Sequence, residues 1–179
     1  LHIRSEHEDA LPLLMTHGWP GSVLEFRHVI DPLVNPTARG GSAEDAFHLV
    51  IPSMPGFGFS GKPDVPGWNT GRIAGAWAEL MERLGYDRWV AQGGDWGAMV
   101  TLTLGHMCPP GLAGIHLNFV PFQPTEAEIA GASEAEQEML ADARRYDADY
   151  SGYMKLMGTR PQSVAFALAD SPVGLAAWI

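Results

Sequence analysis

Gly93-Gly94-Asp95-Trp96-Gly97 stands where an apolar run, Arg88 to Gln92, gives way to a helical pattern, Gly97 to His106. Small residues two places before and two places after a central acidic side chain have the spacing of a nucleophile elbow, with aspartate as the nucleophile. The spacing has a steric cause. Such a residue is held on a strained turn with its side chain exposed, and glycine at 93 and 97 removes the side chains that would collide there. Two other readings fit the same five residues. Aspartate is a favoured helix N-cap, its carboxylate taking a free amide of the first turn. Glycine-rich strand-to-helix turns also cradle phosphates, but they want Lys and Ser or Thr directly after the glycines, and this stretch has neither. Between elbow and cap, the five residues alone do not choose.

On either side, the chain repeats the same strand-then-helix pattern. Leu11 to Met15 is an apolar run closed by Thr16-His17-Gly18, and Ser22 followed by Glu25 has the form of a capping box opening a helix. Phe47 to Ile51 is a second run, broken by Pro52 and then by Pro55-Gly56-Phe57-Gly58-Phe59-Ser60-Gly61. Asn69 or Thr70 can cap a helix in which Ile73, Ala76, Trp77, Leu80, Met81 and Leu84 recur at three- and four-residue spacing, with Gly85 just past its end. Ile115 to Phe119 reads as a fourth strand. Apolar strands alternating with helices predict an α/β fold: a mostly parallel sheet with helices on both faces and a site at the strand carboxyl ends. The pattern changes near Val120. Glu126 to Arg145 reads as an exposed helix, and the chain is helical again from Tyr146, with Pro161 and Pro172 as breaks or first-turn residues.

Composition narrows the function classes. With 179 residues, 46% of them hydrophobic, the chain can bury one sizeable core. A net charge of -10 without a Lys or Arg stripe argues against nucleic acid as a partner. The single cysteine, Cys108, allows no internal disulfide and no cysteine metal site, which makes the cytoplasm the default expectation. No apolar run approaches the ~20 residues of a membrane span, and Leu1 to Ala10 lacks the apolar stretch of a signal peptide. A first residue other than Met and an apolar last stretch, Val173 to Ile179, read as truncation at both ends. The histidines are scattered and Glu126 to Glu138 reads as a solvated helix face, so neither a metal nor a cofactor is expected.

A second motif, His17-Gly18-Trp19-Pro20-Gly21, follows an earlier strand. By itself it could be an ordinary turn. Together, His17-Gly18-Trp19-Pro20-Gly21-Ser22, Pro55-Gly56-Phe57-Gly58-Phe59-Ser60 and Gly93-Gly94-Asp95-Trp96-Gly97 resemble the microsomal-type branch of the α/β-hydrolase epoxide hydrolases. Three later segments resemble that branch's cap: Ser151-Gly152-Tyr153, Gly158-Thr159-Arg160-Pro161-Gln162 and Asp170-Ser171-Pro172-Val173-Gly174-Leu175-Ala176-Ala177-Trp178. The resemblance implies a partial α/β-hydrolase core over residues 1–119 and the first part of a helical cap over residues 120–179.

It also implies a reaction. Asp95 attacks a small apolar epoxide to give an alkyl ester, Tyr153 protonates the departing alkoxide, and water releases a vicinal diol. Backbone N–H groups of Trp19 and Trp96 serve as oxyanion donors. His17, Gly18, Pro20, Gly93 and Gly97 are the supporting motif residues. Trp19, Trp96 and Trp178 are the pocket candidates, whereas Trp77 fits the core. The resemblance further implies a general-base His, its acidic partner and a second tyrosine later in the chain. None of the seven histidines (His2, His7, His17, His28, His48, His106, His116) stands at that late position. His17 is expected to position its loop, His48 and His116 lie in strand patterns, and His28 and His106 fit helices; Tyr146 and Tyr150 are possible neighbours of the cap tyrosine but fit a helix surface better. A dehalogenase using the same aspartate is the nearest rival, and a non-catalytic ligand-binding module of the same fold is the rival from another class. The sequence carries no signal for oligomeric state.

Overall fold

The structure, a computed structural model, describes residues 1–120 and 123–179 and divides into two compact units, Leu1–Pro121 and Phe122–Ile179. The first is a sheet of five strands: β1 (His2–Ile3), β2 (Leu11–Thr16), β3 (Phe47–Val50), β4 (Trp89–Gly93) and β5 (Leu112–Leu117). Their spatial order is β1-β3-β2-β4-β5, and every neighbouring pair is parallel except β1 with β3. Parallel pairing demands crossover segments. A 3-10 turn, Val23–Phe26, and helix α1 (Ile30–Val34) lie between β2 and β3, α2 (Thr70–Arg83) between β3 and β4, and α3 (Trp96–Met107) between β4 and β5.

Side-chain alternation along the strands supplies both faces of the sheet. Leu14, Val50, Trp89 and Ala91 pack with Ile73, Trp77 and Met81 of α2 and with Val100 and Leu104 of α3. On the opposite face, Leu13, Met15, Leu49 and Ile51 meet Phe26 and Val34. Each large side chain so buried contributes about 1.5–3 kcal/mol of transfer free energy. α2 is opened by the Asn69 side chain, which accepts from the Arg72 N–H, and is followed by Gly85 at φ 80°, a left-handed position that favours glycine. The register of β2 on β4 fixes where the site forms. Thr16 pairs with Gly93, so the loops leaving the two strands emerge side by side.

Several expectations need correction. Ser22 opens only the four-residue 3-10 turn, accepting from the Leu24 N–H at 3.2 Å, and no capping box closes with Glu25. α1 starts later, at Ile30, which leaves His28 in the intervening turn rather than on a helix. The fourth expected strand runs Leu112–Leu117 instead of Ile115 to Phe119. It begins directly after Gly111, whose carbonyl accepts from the Trp89 N–H at 2.8 Å, and so starts as soon as β4 offers a partner. β1 was not anticipated, because two residues carry no periodicity.

The second unit is helical: α4 (Glu126–Ala130), α5 (Glu134–Asp149), α6 (Gly152–Thr159), α7 (Pro161–Asp170) and α8 (Pro172–Trp178). The single helix expected over Glu126 to Arg145 is two helices. Gly131 ends α4, and Ser133 opens α5 with a capping box to Glu136, as Thr125 does for α4 with Glu128. Pro161 and Pro172 occupy the first turns of α7 and α8, where a missing N–H costs nothing. Among the described residues, no helix is long and apolar enough to cross a membrane, and no three His, Cys, Asp or Glu side chains are grouped to hold a metal.

Candidate active site

Asp95 is the junction between β4 and α3, and its backbone sits at φ 49°, ψ -126°. L-residues avoid this region, at a cost of about 1–3 kcal/mol that the surrounding fold must impose. Its neighbours show how. A Cβ on Gly93 would overlap the Gly97 carbonyl, and one on Gly97 would overlap the Thr16 carbonyl on β2. Both glycines therefore let β2, β4 and α3 approach closely enough to force the turn. Asp95 precedes α3 but makes no side-chain cap bond to it. Its Oδ1 instead accepts the Trp19 backbone N–H across the loop junction, at 2.8 Å.

The Trp19 loop is equally constrained. Gly18 has no room for a Cβ, which would overlap the Asp95 side chain, and the Trp19–Pro20 peptide is cis. His17 is buried, 2% exposed, with Nδ1 2.9 Å from the Gly18 carbonyl oxygen. Trp96 heads α3 with its indole half exposed; its N–H, one of the first-turn amides that a helix leaves open, makes no hydrogen bond among the described residues. Of the two expected backbone donors, Trp19 is therefore bonded to the carboxylate and Trp96 is not. Asp95 Oδ2 has no hydrogen-bond partner among the described residues. The Asp95 carboxylate is thus exposed, with one oxygen held and the other unengaged.

Tyr153 lies in the first turn of α6, 39% exposed, with its hydroxyl 3.4 Å from that of Tyr146 on α5. Tyr146 stacks on Tyr150 with ring centroids 6.1 Å apart. The sequence offers Tyr146 and Tyr150 as possible neighbours of the cap tyrosine and favours helix surface for both; each is exposed on its helix, and Tyr146 also reaches the Tyr153 hydroxyl. Sequence reasoning missed Asn118. That residue, just past β5, donates its N–H to the Gly93 carbonyl at 3.4 Å, and its amide packs where a Gly94 Cβ would be. Among the other candidates, Trp77 is in the core, Trp178 closes α8, and His48 is buried in β3 with Nδ1 accepting from the Ser5 N–H at 3.0 Å. His116 is in β5, but exposed.

Comparison with known proteins identifies the family. The profile of the family described as alpha/beta hydrolase fold matches residues 12–153, and the chain belongs to that family. A Stigmatella aurantiaca protein that carries a provisional epoxide hydrolase name is 62% identical over all of this chain and 41% of its own length. "Epoxide hydrolase 1" of Oryctolagus cuniculus is 38% identical, over 94% of this chain and 40% of its own. The solved structure of Aspergillus niger epoxide hydrolase superposes with a TM-score of 0.83 at 34% identity, covering 99% of this chain and 46% of that one. The chain thus spans about two fifths of the length of the curated relatives it matches.

Proposed function

We propose that this protein is an epoxide hydrolase acting through a covalent ester on Asp95. The observation that carries the reading is the state of the Asp95 carboxylate, strained into exposure with Oδ1 on the Trp19 N–H and Oδ2 unengaged. The proposed substrate is a small apolar epoxide. Oδ2 attacks a ring carbon, a carbon–oxygen bond to Asp95 forms, and the ring carbon–oxygen bond breaks. Tyr153 gives its proton to the alkoxide that leaves, becoming a tyrosinate. Water then adds to the ester carbon, and negative charge develops on Oδ1, where the Trp19 N–H already points and the Trp96 N–H is open to join it. Cleavage of the ester bond releases a diol that carries the former Oδ2, and Asp95 keeps one oxygen from water.

Activating that water needs a general base. We assign it to a histidine with an acidic partner outside residues 1–179. His17 and His48 each have Nδ1 engaged with backbone, and no described histidine bonds Asp95. Residues 120–179 are proposed to be the first part of the cap that brings Tyr153 to the substrate. An acid is needed when alkoxide leaves and not when halide leaves, which is why the tyrosine favours an epoxide over a haloalkane. The test is to offer styrene oxide and 1-chlorohexane in parallel. The reading predicts attack on the epoxide only, and preferential consumption of the chloroalkane would overturn it.

A further inference from the structure

The peptide unit joining Gly18 to Trp19 is hydrogen-bonded at both of its ends. Its N–H donates to Asp95 Oδ1 at 2.8 Å. Its carbonyl lies 2.9 Å from Nδ1 of the buried His17 ring. A carbonyl oxygen can only accept, so Nδ1 carries the proton. The remaining ring nitrogen, Nε2, is buried and has no hydrogen-bond partner among the described residues, which suits a bare lone pair better than an N–H left without an acceptor.

We infer that His17 is a positioning residue for the oxyanion donor: its Nδ1–H orients and polarises the Gly18–Trp19 peptide whose N–H binds Asp95. Two physical effects follow from the chain His17 Nδ1–H, Gly18 C=O, Trp19 N–H, Asp95 Oδ1. Hydrogen bonds in series polarise one another, so a donor on the carbonyl makes the amide at the far end a stronger donor. A peptide plane fixed at both ends also has no freedom to rotate its N–H away as charge builds on Oδ1. The ring reaches this carbonyl from inside the fold, with Thr16 on β2 completely buried beside it. The motif thus has a reason for histidine next to glycine. Gly18 leaves space for the Asp95 side chain, and His17 holds the carbonyl of that same glycine.

The kinetic consequence falls mostly on one step. Ester formation places no new charge on Oδ1, whereas water attack turns Oδ1 into an oxyanion. The inference deepens the ester mechanism and rests on it for its kinetic arm, so the experiment includes a measurement that does not need turnover. Two substitutions separate donor position from polarity. In His17→Asn the amide nitrogen falls where Nδ1 was, and in His17→Gln it falls near the place of Nε2. Single-turnover kinetics with styrene oxide on the full-length protein that carries the proposed base, resolving ester formation from ester hydrolysis, are expected to show hydrolysis slowed about tenfold in His17→Gln, near wild type in His17→Asn, and ester formation changed much less in both. Nitrogen NMR of the wild-type imidazole is expected to show the proton on Nδ1, and the Trp19 amide proton is expected to move upfield in His17→Gln and to return in His17→Asn. The inference is overturned by a proton on Nε2, by a Trp19 amide indifferent to both substitutions, or by equal hydrolysis rates in the two variants. If His17→Gln does not fold, His17→Ala replaces it, with the Trp19 amide again expected upfield and an unmoved amide overturning the inference, as does a proton on Nε2 in the wild-type imidazole. If no ester forms even in wild type while the NMR results hold, the ester mechanism fails and the positioning role of His17 stands.

Discussion

The elbow and the tyrosine segment are built from different materials. Around Asp95 nearly every defining contact involves the main chain: the Trp19 N–H on the carboxylate, the Gly97 and Thr16 carbonyls where Gly93 and Gly97 would carry a Cβ, and the Asn118 N–H on the Gly93 carbonyl. Tyr153 instead meets Tyr146 side chain to side chain on partly exposed helices, at 3.4 Å between hydroxyls. Backbone contacts on strand ends tolerate no change of geometry, whereas surface side-chain contacts can be cut one at a time. The elbow is therefore coupled to stability, and Tyr153, the proposed acid, is coupled mainly to rate.

The largest effect should come from Gly97→Ala. Its methyl group would overlap the Thr16 carbonyl, backbone that cannot move without parting β2 from α3, and we expect a loss of about 3 kcal/mol or more in urea unfolding. Gly75→Ala on α2, with nothing near the new methyl group, should instead gain about 0.5–1 kcal/mol, so a glycine matters here only where the backbone closes on it. On the other side of the comparison, Tyr153→Phe should slow ester formation by about 100-fold while leaving the unfolding midpoint in place. Tyr146→Phe should cost about threefold or less in the same rate, the scale of one exposed and rather long hydrogen bond. An unfolding midpoint that moved as far for Tyr153→Phe as for Gly97→Ala would erase the contrast.

The smallest effect concerns pH and the helices of the second unit. The Ser133 hydroxyl, and after it the Ser133 backbone N–H, hold the Glu136 carboxyl below its ordinary range. A carboxyl lowered in the folded state stabilises above its unfolded pKa and loses that contribution as pH falls through the folded value. The start of α5 should thus fray in acid, read as lower amide protection factors (observed exchange divided into the intrinsic rate at the same pH) at Glu134 to Gln137, and Glu136→Gln should flatten that pH dependence.

How much of this was legible in the sequence follows the same division. The elbow glycines and the apolar strands on either side declared the fold and the position of Asp95, because steric exclusion and burial leave local traces. The choice between nucleophile and helix cap did not, since it turns on φ at one residue and on an amide from a loop far away in sequence. That loop arrives because Thr16 pairs with Gly93, and strand register is not written in either strand alone. The two-residue β1 and the division of Glu126 to Arg145 at Gly131 were hidden for related reasons. The first is too short for a period, and the second depends on which of several small residues the helix stops at.

The central claim is that Asp95 forms a bond to substrate. Rapid-quench mass spectrometry of the protein mixed with styrene oxide tests it directly. The account predicts that the proteolytic fragment containing Asp95 gains the mass of one styrene oxide, and that Asp95→Asn shows no such adduct. Epoxide consumption with that fragment unmodified at every quench time, or an unchanged adduct in Asp95→Asn, would contradict it.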